Sequence, residues 1–198
     1  MPASFLSAFA LIASVLFVTE LTDKDALLLL TLATRVRASV VFLAGATAFV
    51  FTTTIFVTLG ALVSSAIPIF WVRLAGGVVM VGFGLWQVVN IMRGKAPKEE
   101  SVNAGSSGWK AFFGIVAALA ILDIAGDATE ILTIVFVAQY SSAFLVFSAA
   151  CTGLIAATAF ETALGNQLGR MLTAKRLTYV STAVFLGLGA YILASLLL

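Results

Sequence analysis

A chain of 198 residues with 62% hydrophobic and only 10% charged side chains cannot clothe a water-soluble domain of its size, because soluble folds carry about a quarter charged residues. A net charge of +2 without a long basic tract excludes a nucleic-acid partner. Histidine is absent and Cys151 is the single cysteine, which excludes an internal disulfide and a His/Cys zinc or copper site.

Taken in order, the apolar stretches predict helices. The first spans 4–34 and is interrupted by the charged run from Glu20 to Asp25. The second covers 38–65 and stops before Pro68, and the third covers 70–93. Residues 94–108 (GKAPKEESVNAGSSG) form a polar loop, flexible by composition. A fourth helix at 109–138 again carries acids midway, and a fifth at 142–170 and a sixth at 176–197 follow. Each is long enough for a bilayer core, which takes about 20 residues. The segments are too long and evenly apolar for the alternation of a membrane barrel. Residues 5–18 lack a basic leader and run into the acidic motif, so a cleaved signal is not expected.

The two halves resemble each other. VTELTDKDALLLLTLATRVRASVVFLAG aligns with ILDIAGDATEILTIVFVAQYSSAFLVFSAA, setting Asp23 against Asp127, and GFGLWQVV near 82–89 answers GLGAYILA near 187–194. The expected fold is all-α: a polytopic membrane protein of six transmembrane helices in two inverted three-helix repeats, 1–93 and 109–198, joined by a linker at 94–108. Three spans per repeat is an odd number, which turns the second repeat upside down, as in many secondary transporters. The glycines near 76–84 and 187–189 are expected at helix-packing surfaces. Arg35, Arg37, Arg93, Lys95, Lys98, Lys110, Arg170, Lys175 and Arg176 fall on one side and Arg73 alone on the other. The positive-inside rule then makes loop 94–108 cytoplasmic and both termini external.

Of nine acids, only Glu99 and Glu100 lie in the polar loop; Glu20, Asp23, Asp25, Asp123, Asp127, Glu130 and Glu161 lie within apolar spans. An ionised acid facing lipid costs roughly 2.5–3.5 kcal/mol, so all of them together would cost on the order of 20 kcal/mol. They must face the bundle interior, carry protons or hold a cation. The one base placed similarly deep, Lys24, cannot neutralise them; it is read as a counter-ion to Glu20 or Asp23, or as a proton-relay group. Asp123, Asp127 and Glu130 are spaced i, i+4, i+7 on one helical face. Glu20, Asp23 and Lys24 also share a face. Asp25 points away unless the helix unwinds near Thr22. Gly126 is a candidate break that frees carbonyls, and Thr19, Thr22 and Thr129 add hydroxyls. Glu161, beside Thr158 and Thr162, is either a protonated packing acid or a ligand facing the cluster. Carboxylates, carbonyls and hydroxyls are hard oxygen ligands suited to calcium, manganese or magnesium. Crowded carboxylates repel one another, which favours trading protons for a divalent ion.

These motif residues resemble those of the cation/proton antiporter family that includes the Golgi manganese and calcium exchanger, a branch of the LysE-type transporter superfamily. That family carries Glu-x-Gly-Asp-(Lys/Arg)-(Ser/Thr) once per half. In the first copy Glu20, Asp23 and Lys24 match, with Thr22 at the glycine and Asp25 at the hydroxyl residue. In the second, Gly126, Asp127 and Thr129 match, Ile124 stands at the glutamate and Ala128 at the basic residue. Asp123 sits one place early, and Asp123, Glu130 or Glu161 replaces the missing glutamate. The likeness covers nearly the whole chain, including FLAG in the second helix and LAGGVVMVGFGLW in the third.

The resemblance implies a secondary transporter exporting a divalent cation, manganese or calcium first, in exchange for protons. Its metal ligands would be Glu20, Asp23 and Asp127, then Asp123, Glu130, Asp25, Glu161 and Thr129, with Lys24 as ion-pair or relay group. No tightly bound cofactor and no catalysis are expected. The expected partners are the lipid bilayer and the transported ion, and a homo-oligomer is compatible with the sequence. The alternatives are an exporter of another cation or cationic metabolite, cadmium-type or LysE-type, and a membrane metal-dependent hydrolase, which would want a nucleophile and base not evident here.

Overall fold

The computed structural model describes residues 5–21, 23–93, 108–124, 128–171 and 174–196, and every element among them is a helix. The predicted first helix is two: α1 (Phe5–Leu21) and α2 (Lys24–Arg35). The amide of Asp23 donates to the Glu20 carbonyl at 3.0 Å, an i to i+3 bond that tightens the last turn of α1. Helix α3 (Ala38–Ala66) ends where Ile67, preceding Pro68, is driven into extended backbone. Helix α4 (Ile69–Met92) follows directly. The predicted fourth helix likewise divides into α5 (Trp109–Ile124) and α6 (Ala128–Tyr140). Ser141, with φ of 51°, turns the chain into α7 (Ala143–Met171), and α8 (Ala174–Ala194) completes the fold. All but Gly108 of the predicted linker lies outside the described residues.

Helices α3 and α7 pack against each other at the centre. Each also takes the other half's broken helix: α3 contacts α5 and α6, and α7 contacts α1 and α2. The glycine contacts show the duplication residue by residue. Gly60 of α3 abuts Ile134 and Val137 of α6, and Gly165 of α7 abuts Leu30 and Ala33 of α2. Gly84 of α4 abuts Leu186 of α8, and Gly189 of α8 abuts Val81 of α4. In both cases the second contact repeats the first with every residue displaced by 104 or 105 positions. Gly76, Gly77, Gly84 and Gly189 pack as expected, letting backbones approach closely. Gly82 and Gly187 do not, because nothing lies within 4 Å of where their Cβ would be.

The polarity is inverted relative to a soluble protein. Phe5, Leu6, Trp71, Trp86, Phe113, Ile121, Phe144 and Tyr191 are exposed, whereas Glu20, Asp25, Asp123, Glu161, Thr19, Thr52 and Thr158 are buried. Helix α2 is enclosed on several sides through Ala26, Leu28, Leu29, Leu30 and Leu32, and α6 through Leu132, Val135, Phe136 and Val137. Helices that are enclosed in this way keep their ends away from lipid, where unpaired backbone is not tolerated. Helices α3, α4 and the Ala143–Ala163 part of α7 are each long and apolar enough to cross a bilayer alone. Helix α5 with Thr129–Tyr140 of α6, inclined at 63°, makes a fourth crossing if the bent pair counts as one. Helix α1 and Phe185–Ala194 of α8 are apolar but shorter, so length and composition mark three or four crossings where the sequence pattern predicted six.

Candidate cation site

The two breaks put acids at helix ends. Glu20 occupies the last turn of α1, Asp23 the gap, and Asp25 the first turn of α2. Asp123 occupies the last turn of α5, and Thr129 and Glu130 the first turn of α6. The C-terminal ends of α1 and α5 expose carbonyls without helical partners and the negative end of the helix dipole. A carboxylate added there makes a place that favours positive charge.

Glu20, Asp23, Asp25, Asp123, Glu130 and Glu161 are all buried. Asp25, which a continuous helix would have turned away, is buried in the first turn of the separate helix α2. Between the neighbours that the motif left in question the structure chooses plainly: Asp123 is 1% exposed and Ile124 is 55% exposed. The acid therefore faces inward one place before the motif's glutamate position. Asp127, Gly126 and Thr22 lie outside the described residues, as does the side chain of Lys24.

Hydroxyls accompany the acids. Thr52 on α3 donates its hydroxyl to Asp123 Oδ2 at 2.7 Å, and Thr129 donates to Glu130 Oε2 at 3.2 Å. Thr19, beside Glu20, is buried and turns its hydroxyl onto the Val15 carbonyl at 2.8 Å. Both carboxylate oxygens of Glu161 are buried without a hydrogen-bond partner among the described residues. Glu161 shares a face of α7 with Thr158, which lies against Gly45 near Leu29, and with Gly165, which meets α2. Among the described residues no three acids are gathered closely enough to hold a metal by themselves. The acids are spread over two breaks and one neighbouring helix.

Sequence reasoning missed Thr52, which is buried. Its one signal was the run Thr52 to Thr54, and that run does not say which hydroxyl reaches an acid. Thr54 bonds its own helix on an exposed face.

The family model described as divalent cation/proton antiporter GDT1 matches residues 8–95 and again residues 111–197, one match to each half. The chain belongs to the GDT1 family. No curated relative and no solved structure matches it. GDT1 membership, with the lipid-suited exterior, makes this a multi-pass integral membrane protein of a transporter family that exchanges divalent cations for protons.

Proposed function

We propose that this protein exports a divalent cation, manganese or calcium, from the cytoplasm in exchange for protons. The burial of six carboxylates, five of them at two breaks related by the internal repeat, carries this reading. Enclosed acids at carbonyl-rich helix ends are expensive unless protons or a cation neutralise them, and an exchanger alternates between those two fillings.

In this reading Glu20, Asp23 and Asp127 supply the principal ligands. Asp123, Glu130, Asp25 and Glu161 complete the carboxylate set, Thr129 adds a hydroxyl, and Lys24 balances charge or relays protons. These hard oxygens suit manganese and calcium. The chain crosses the membrane six times, α1–α2 and α5–α6 each serving as one broken crossing, and the second repeat is inverted. Loop 94–108 is cytoplasmic and the termini are external. A cleft of about 450 Å³ between α3, α6 and the turns at 67–68 and 141–142, lined by Ala61, Ser64, Ser65, Val137 and Ser141, supports an external access route. Val137 stands seven residues, about 10 Å, beyond Glu130 along α6. Rocking of α3 and α7 against each other would open the breaks to either side in turn.

The test is flux in proteoliposomes containing the purified protein. An imposed proton gradient drives manganese or calcium against its own gradient, and Glu20→Gln with Asp127→Asn abolishes that movement while leaving a monodisperse protein. Flux that survives the double substitution refutes the site assignment, and wild-type protein that moves neither ion refutes the proposed cargo.

A further inference from the structure

We infer that Thr52 is a positioning residue of the cation site, holding the Asp123 carboxylate in the orientation in which it binds the ion. The inference rests on the exchange reading above and deepens it.

Thr52 and Asp123 are each 1% exposed, and they are joined at 2.7 Å across the seam between α3 and α5. The Thr52 hydroxyl also lies 3.1 Å from the Ala48 carbonyl and 3.4 Å from that of Phe49. One hydroxyl carries one proton and can donate it to one strong acceptor at a time. The carboxylate is both the nearest acceptor and the one able to carry charge, and a bond to a charged group is the stronger kind. Thr133 and Thr158, also buried, instead bond the carbonyl four residues back in their own helix. Thr52 is turned to another helix, onto an acid beside a break.

The duplication shows that this bond is not a by-product of packing α3-like against α5-like helices. The displacement of 105 that relates Gly60 to Gly165 puts Ala157 at the α7 position equivalent to Thr52. Ala157 is fully buried but has no hydroxyl to offer α1. The hydroxyl at this position thus belongs to one half alone, and Asp123 is the acid it holds. Asp123 has two rotatable side-chain bonds in the last turn of α5, and a fixed Oδ2 removes most of that freedom before the ion arrives. Preorganisation of this kind raises affinity by cutting the ordering cost of binding.

The experiment measures initial rates of Mn²⁺ uptake into proteoliposomes against Mn²⁺ concentration for the full chain. Thr52→Val keeps the shape and removes the hydroxyl; it raises KM about tenfold, the size expected for losing one hydrogen bond to a charged group. The maximal rate stays within about twofold, the pattern of lost binding rather than lost turnover. Thr52→Ser restores KM, and Thr53→Val, a neighbouring buried position, leaves it unmoved. A wild-type KM in T52V overturns the inference, and so does an equal rise in T53V, which would mark a packing effect. Should T52V fail to fold, Thr52→Ala against T52S makes the same comparison, with equal KM values as the refuting result. Where wild-type protein takes up Ca²⁺ and not Mn²⁺, the same series is read with Ca²⁺; wild-type protein that takes up neither overturns the cargo reading and this inference with it, and wild-type uptake alongside an unaltered T52V removes only the role of Thr52.

Discussion

Gly153 offers a sharp test of the packing that holds the first break in place. It lies on α7 directly against the backbone of Ala13 on α1, and a Cβ added there would run into the Ala13 carbonyl oxygen and crowd its Cα at 3.2 Å. The obstacle is backbone of a helix, not the tip of a side chain, so the two helices must separate. Overpacking of this kind costs about 1–3 kcal/mol. Against that, alanine in a helix interior gains about 0.5–1 kcal/mol over glycine. The sum for Gly153→Ala is a net loss of up to about 2.5 kcal/mol, all of it from the seam. Gly82→Ala is the matched control: nothing lies within 4 Å of its would-be Cβ, so only the favourable helix contribution remains. Thermal unfolding of the purified protein in one detergent should therefore move in opposite directions for the two variants. At about 2–4 °C per kcal/mol for a chain of this length, the difference amounts to several degrees. Because Ala13 stands two turns before Glu20, Gly153→Ala should also slow cation flux, and Gly82→Ala should not. Equal stability of the two variants, or a loss in Gly82→Ala matching that in Gly153→Ala, would refute the close approach of α1 and α7.

Two further outcomes follow from the site and its orientation. If protons and the divalent ion share the proposed carboxylates, the apparent KM for the ion should rise as pH falls on the binding side, and each ion bound should release protons, read by a pH dye under weak buffering; a KM independent of pH removes the coupling. With Cys151→Ala as background, Ser101→Cys in the linker should react with a membrane-impermeant maleimide only from the cytoplasmic side in membranes of known orientation, and labelling from outside reverses the proposed topology.

Much of this architecture was legible without coordinates. The solvent is lipid because 10% charged residues cannot cover a soluble surface. The breaks were marked by Thr22 and Gly126 amid charged runs, and the structure ends α1 at Leu21 and α5 at Ile124. The duplication was visible in the alignment of Asp23 with Asp127 and reappears as the paired contacts of Gly60 with Gly165 and Gly84 with Gly189. Less legible was the length of each helix. The charged runs mark where the first and fourth segments are interrupted but not where each helix ends, which leaves α1 with 17 residues and α2 with 12.

What the sequence determined by itself was a charge imbalance in an apolar chain, because composition and spacing are local properties that survive without a fold. Which groups meet belongs to the tertiary structure. Thr52 and Asp123 are 71 residues apart, and no local pattern links them. The inward turn of Asp123 and the outward turn of Ile124 depend on how α5 lies against α3, and the burial of Glu161 on how α7 packs among its neighbours. A helical residue's direction is set by its helix's rotation, and that rotation is decided by the close packing of neighbours far away in the chain.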